Sequence, residues 1–130
     1  MSLNRDQFEQ RFDNALRARD AGRIDECIGC LTSLLDESHH ASAVVAMLGL
    51  VLLYEKEDPC AAVTWLRRSV RMSPNSEKAS LGLCHALIRL DQLKEAEREA
   101  KRFLGLHESL EHRKLLELMT EDQTGSQDGG

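Results

Sequence analysis

Ala61-Ala62-Val63-Thr64-Trp65-Leu66 has two counterparts in this chain, Glu26-Cys27-Ile28-Gly29-Cys30-Leu31 and Glu95-Ala96-Glu97-Arg98-Glu99-Ala100, and together the three stretches decide the fold. Cys27, Ala62 and Ala96 lie 35 and then 34 positions apart, and Leu31, Leu66 and Ala100 each follow four residues later. A second series of small residues, Ala15, Gly49 and Cys84, sits upstream at spacings of 34 and 35. Each unit therefore holds two segments. The segment from Ile24 places Ile24, Cys27, Ile28, Leu31, Leu34 and Leu35 at i, i+3, i+4, i+7 spacing, one buried stripe of a helix. The chain reads as all-α: a right-handed solenoid of antiparallel helix pairs with about seven helices.

Working outward, the first helix is expected from about Asn4 to Asp20, with Phe8, Phe12, Ala15, Leu16 and Ala18 as apolar marks. Gly22 is placed to adopt the left-handed conformation that ends it. Asp36 through His40 read as the turn out of the first unit. Ser42 then reads as a cap for a helix from Ala43 to about Glu55, apolar on nearly every side. A helix without a polar face is buried by neighbours on both flanks. Asp58-Pro59 restarts the chain as cap and first helical residue, and Ser73-Pro74-Asn75-Ser76 ends that helix. The third unit runs from Glu77, turns at Asp91-Gln92-Leu93 and returns along Leu93, Ala96, Ala100, Phe103 and Leu104. The repeats are set at about 8–41, 42–76 and 77–110. A last amphipathic helix, 108–119, carries Leu115, Leu118 and Met119 and shields the open end of the stack. Residues 121–130 hold no apolar side chain and read as a disordered tail.

Composition agrees. Two prolines, 42% apolar residues and 4% aromatics suit a Leu- and Ala-rich helical domain rather than a sheet protein. With a net charge of −5 and the 17 Lys and Arg read as interspersed with acids, nucleic acid is not an expected partner. No basic start followed by an apolar stretch marks an export signal. The longest apolar run, Ala41 to Tyr54, is too short to span a bilayer, so no membrane partner is expected. Four cysteines inside helices favour reduced thiols and a cytoplasmic location.

A period near 34 built from two helices is the pattern of tetratricopeptide repeats, and the chain resembles that family over residues 8 to 119. Val45 and Leu48-Gly49 meet the family's large-then-Leu-Gly pattern; Leu83-Cys84 and Asn14-Ala15 are looser versions. Cys27, Ala62 and Ala96 supply the small residue that lets two antiparallel helices approach, and Pro74 supplies the proline after the second helix once. The first and third units have His39 and Glu108 there instead, and Leu52 and Leu87 stand where the family has a second tyrosine.

The resemblance implies a groove lined by the first helix of each unit. Its positions here are Phe12, Leu16 and Arg19, then Ala46, Leu50, Leu53 and Tyr54, then Lys78, Leu81, His85 and Arg89. An apolar floor with cations toward the third unit suits an amphipathic helix or an extended peptide carrying acids. The competing reading is that Leu50 and Leu53 only pack the core. Chaperone-docking relatives hold a terminal carboxylate with Lys and Asn; those positions read Phe12, Leu16 and Leu50 here, which argues against such a clamp.

Other motifs are weaker. Cys27-Ile28-Gly29-Cys30 has redox or zinc spacing but lies in a helix without the strand that redox sites need, and His39-His40 fall about two and a half turns away. Cys84-His85 lacks an oriented third group and its side chains diverge. Glu95, Glu97 and Glu99 with Lys94, Arg98, Lys101 and Arg102 read as a solvated face. Trp65 is a candidate anchor on the outer wall, or half-buried packing. No phosphate loop or catalytic triad is present, so neither a reaction nor a cofactor or metal is expected. The sequence points to a non-catalytic adaptor binding a peptide or protein. Its alternatives are a dedicated chaperone or immunity-type inhibitor for one partner, or a self-associating homodimer burying Leu50, Leu53 or Trp65.

Overall fold

A computed structural model of the chain describes residues 3–37 and 41–128 and, among them, seven helices and no strand. They are α1 (Arg5–Asp20), α2 (Ile24–Glu37), α3 (Ala41–Tyr54), α4 (Pro59–Met72), α5 (Glu77–Arg89), α6 (Leu93–Leu104) and α7 (Leu110–Asp128). Short connections make consecutive helices neighbours, and α3 also touches α5 directly. Two rows result: α1, α3 and α5 on one side, α2, α4 and α6 on the other.

Local chemistry sets the helix ends. Asn4 accepts from the Gln7 backbone N–H at 2.8 Å while the Gln7 side chain accepts from the Asn4 N–H at 3.1 Å, a reciprocal capping box. Asp58 accepts from the Ala61 N–H at 3.1 Å with Pro59 opening α4, and Ser76 accepts from the Ala79 N–H at 3.2 Å. Each turn within a helix pair holds one left-handed residue: Gly22 at φ 81°, Glu57 at φ 51° and Asp91 at φ 60°. Only the first of these positions carries the residue that adopts such a φ without steric cost.

Some boundaries differ from the sequence expectation. Helix α2 continues through Asp36 to Glu37, and α3 begins at Ala41, so Ser42 lies inside it rather than capping it. His39 and His40 lie outside the described residues. Helix α7 starts at Leu110, where the Ser109 hydroxyl accepts from the His112 N–H at 3.2 Å, and runs on to Asp128. The apolar stripe stops at Met119, but backbone hydrogen bonds propagate a helix without needing one. Gly129 and Gly130 are outside the described residues.

Both series of small residues are buried, with Ala15, Cys27, Ala62, Cys84 and Ala96 at 0% exposure. Their role is close approach. A Cβ added to Gly49 would stand 2.6 Å from Leu66 Cγ, and one added to Gly82 would stand 2.7 Å from Leu50 Cδ2. Leu66 of α4 is thus wedged against α3 and α5 together. The core has two lobes, and α3 feeds both: Val44, Leu48 and Val51 enter the lobe with α1 and α2, while Leu50 and Leu53 enter the lobe with α4 to α7. That double duty explains why α3 lacks a polar face.

Candidate functional site

The inner row carries a cavity of about 270 Å³ between α3 and α5. From α3 come Met47, Leu50, Val51 and Tyr54; from α5 come Lys78, Leu81, Gly82 and His85; Arg19 and Glu55 complete the rim. On each helix the four positions follow i, i+3, i+4, i+7, a single face. Residues facing across the cavity are 31 apart, as Tyr54 and His85 are. That is one helical turn less than the 35-residue repeat, so α5 meets α3 staggered by a turn.

The floor is apolar and the rim is polar. The Tyr54 hydroxyl and His85 Nδ1 share a hydrogen bond at 2.5 Å, and the two rings meet edge to face at 6.1 Å. Burial pushes the His85 pKa below its ordinary value, Arg89 pushes the same way, and Glu111 of α7 opposes them. Burial likewise raises the Tyr54 pKa against the pull of Arg89, so the phenol keeps its proton. Arg19 Nη1 lies 3.5 Å from Met47 Sδ and its guanidinium pairs with Asp20 at 3.0 Å, which holds it at the cavity edge. Lys78 has no ion pair among the described residues.

Of the eleven groove positions expected from sequence, six line this cavity: Arg19, Leu50, Tyr54, Lys78, Leu81 and His85. Five do not. Leu53 is 0% exposed and belongs to the core. Arg89 stands behind Tyr54, its guanidinium 5.7 Å from the ring centroid and its Nη1 donating to the Leu53 carbonyl at 2.9 Å. Phe12 stacks on Phe8 with centroids 5.9 Å apart, packing the N-terminal lobe. Leu16 is half-buried on α1, and Ala46 on α3 is also half-buried outside the cavity. Met47, Val51, Glu55 and Gly82 line the cavity without having been singled out. Matching equivalent repeat positions cannot find them, because the facing positions are offset by that extra turn.

A second polar cluster lies where α5, α6 and α7 meet. His112 is 0% exposed and stacks on Phe103 with centroids 4.3 Å apart. Its Nδ1 is 2.6 Å from Ser109 Oγ and its Nε2 is 2.9 Å from Ser80 Oγ. Ser80 Oγ donates to Glu99 Oε2 at 2.6 Å, so it accepts from Nε2–H, and Ser109 Oγ donates to Nδ1. Arg102 completes the chain, donating to both Glu99 oxygens at 2.7 and 2.8 Å and to the Pro74 carbonyl at 3.0 Å. Both His112 nitrogens and both serine hydroxyls are thus engaged, and all three residues are buried.

The cysteines divide similarly. Cys84 is buried, donates to the Ala96 carbonyl at 3.7 Å, and burial pushes its pKa up to about 12. Such a thiol is inert. Burial also raises the Cys27 pKa, while Cys30 is half-buried and Cys60 exposed. Among the described residues no three His, Cys, Asp or Glu side chains are grouped to hold a metal ion.

Comparison with known proteins bears on the fold. No family model matches the chain, and no curated protein matches it in sequence. The first TPR domain of Spaghetti (RPAP3), solved bound to the HSP90 peptide SRMEEVD, superposes with a TM-score of 0.82 at 17% identity, covering 95% of this chain and 98% of that one. The TPR domain of P58(IPK) superposes with a TM-score of 0.77 at 15% identity, over 94% of this chain and 35% of that one.

Proposed function

The chain has the tetratricopeptide fold, an all-α solenoid, and no described helix is long and apolar enough to cross a membrane. From that premise we propose that it is a non-catalytic interaction module, three repeats closed by α7, that binds a protein or peptide on its inner row. The observation carrying this reading is the cavity itself: apolar walls from Met47, Leu50, Val51 and Leu81 beneath a rim bearing Arg19 and Lys78. A cavity of about 270 Å³ suits one large apolar side chain of a partner rather than a whole cofactor, since cofactor and drug-sized sites run to roughly 300–1,000 Å³. The rim cations suit acidic groups beside that side chain. The peptide in the Spaghetti complex offers the same two chemistries, one methionine and a run of acids. Apolar contact leads here, because α1 brings Phe12 and Leu16 into packing rather than a pair of carboxylate-binding side chains. The role in the cell is that of a cytoplasmic adaptor holding one partner.

A photo-crosslinking amino acid at Met47 on the cavity wall tests the site, with the same group at Thr64 on the outer row as control. Partner captured from source-cell lysate through position 47 and not 64, and lost when Leu81→Glu is added, is the expected result. Capture that ignores Leu81→Glu would sink the assignment.

A further inference from the structure

The outer row separates charge in a way the linear sequence conceals. Helices α4 and α6 carry seven of the 17 Lys and Arg but three of the 22 acids, a net +4 within a chain of net −5, so the remainder carries −9. Helix α4 has no acid at all. The three acids of α6 are each engaged: Glu95 by Arg67, Glu97 by Lys101 and Glu99 by Arg102. Four cations remain. Arg68 lies over the Trp65 ring, 5.8 Å from its centroid, and Arg71, Lys94 and Arg98 have no ion pair among the described residues. All four are exposed.

Their placement is ordered. Lys94, Arg98 and Lys101 follow i, i+4, i+7 along α6, and Arg67 and Arg71 follow i, i+4 along α4. Between the two stripes runs an open groove of about 400 Å³, with Leu83 and Leu87 of α5 below it and Arg98 on its wall. The Arg67–Glu95 pair crosses it. Helix α5 thus shows Leu81 and His85 to the inner cavity and Leu83 and Leu87 to this outer groove.

We propose that the α4–α6 face is a second docking surface, and that its occupant is a short segment of consecutive Asp and Glu on a protein partner. Charge complementarity carries the choice of class. A short acidic segment meets the unpaired cations of the two stripes and stays within them. A longer polyanion, such as duplex nucleic acid, would run off the stripes onto a surface of net −9 and be repelled. Because the stripes lie on the row opposite the inner cavity, both surfaces can be occupied together, and one chain then bridges two partners.

The test uses the full chain and a short fluorescein-labelled oligoglutamate, followed by fluorescence anisotropy. Saturable binding is expected, weakening as salt rises from about 0.05 to 0.3 M through screening. The double substitution Arg71→Glu, Arg98→Glu is expected to weaken it about tenfold or more, since two attractions become repulsions. Arg17→Glu, on α1 and outside both surfaces, is expected to leave it within about twofold, the span of a remote screened charge. Arg17, Arg71 and Arg98 are exposed, so circular dichroism should show unchanged helicity. Absence of saturable binding, or a loss in Lys78→Glu on the inner rim with Arg71→Glu, Arg98→Glu intact, would overturn the proposal. Tighter binding of duplex DNA or phosphatidylserine vesicles than of oligoglutamate would overturn it in favour of those classes.

Discussion

His85 and His112 both stand against the C-terminal core lobe, close enough to act on each other electrostatically, yet one borders an open cavity and the other a closed junction. His85 forms part of an open cavity wall with a single side-chain hydrogen bond, to Tyr54, itself 44% exposed. His112 is sealed against Phe103, and both ring nitrogens are engaged by serines that are themselves buried. The junction is closed and its groups answer one another, so its chemistry is spent on joining α7 to α5 and α6. The cavity leaves apolar surface and rim charges facing outward, which is what a partner needs. Ser80, His112 and Glu99 are the residue types of a catalytic triad, but here the serine and histidine are buried and engaged with one another.

The sharpest way to break this contrast is to truncate each histidine. His112→Ala removes the stack on Phe103 and leaves the Ser80 and Ser109 hydroxyls short of partners, so it should cost about 3 kcal/mol in urea unfolding. His85→Ala should cost under about 1 kcal/mol, the scale of one net hydrogen bond. Equal losses would mean that the two sites are not different in kind.

Next in size is the frame beneath the cavity. Gly49→Val adds atoms where even a Cβ would lie 2.6 Å from Leu66 Cγ, and overpacking should cost about 2–3 kcal/mol. The cavity is therefore tolerant at its walls and intolerant at the α3–α4 seam that supports it. A Gly49→Val protein as stable as the parent would show that the seam is loose and the register of the small residues incidental.

A pH series sharpens the comparison further. The His112 pKa is lowered chiefly by burial, with Arg102 and His85 adding to the shift and Glu77 and Glu99 opposing it. The folded state thus takes up this proton less readily than the unfolded chain. Stability from this site is complete above the ordinary value of 6.5 and is lost as pH falls below 6.5 toward the depressed folded pKa. Urea midpoints should decline across that window, and His112→Gln should reduce the decline. His85 acts in the same direction but is half-exposed, so its variant should change the slope less. The smallest effect belongs to Tyr54→Phe, which removes one rim hydrogen bond. It should lower stability by no more than about 1 kcal/mol while weakening partner binding.

How much of this was legible in the sequence depends on the period of each signal. The two small-residue series repeat along the chain and specify close helix approach, so Ala15, Gly49, Cys84, Cys27, Ala62 and Ala96 announce both the fold and its seams. Capping at Asp58 is equally local and was read, whereas Ser42, read as a cap, lies inside α3, and the caps at Asn4 and Ser76 were not singled out. The cavity was only partly readable, because it is made by two helices meeting with a one-turn stagger. Leu50 and Tyr54 could be placed on it, but Met47, Val51 and Gly82 appear only once α5 is set beside α3. Leu53 shows the converse: on an all-apolar helix, sequence cannot tell the inward face from the cavity face. The His112 cluster was invisible for another reason. Ser80, Glu99, Ser109 and His112 come from three helices, and nothing in their spacing links them. The basic outer face was likewise hidden by the mixed charges of α6, whose Glu95 is neutralised only once Arg67 is brought across from α4.

The most direct test of the central claim compares two variants against one captured partner: Leu81→Glu on the cavity wall and His112→Ala at the junction, each measured for thermal stability and for affinity at a temperature where both are folded. The account predicts that Leu81→Glu melts near the parent and loses the partner, while His112→Ala melts well below the parent and still binds. A Leu81→Glu protein that binds as the parent does would contradict the claim that the α3–α5 cavity is the partner surface.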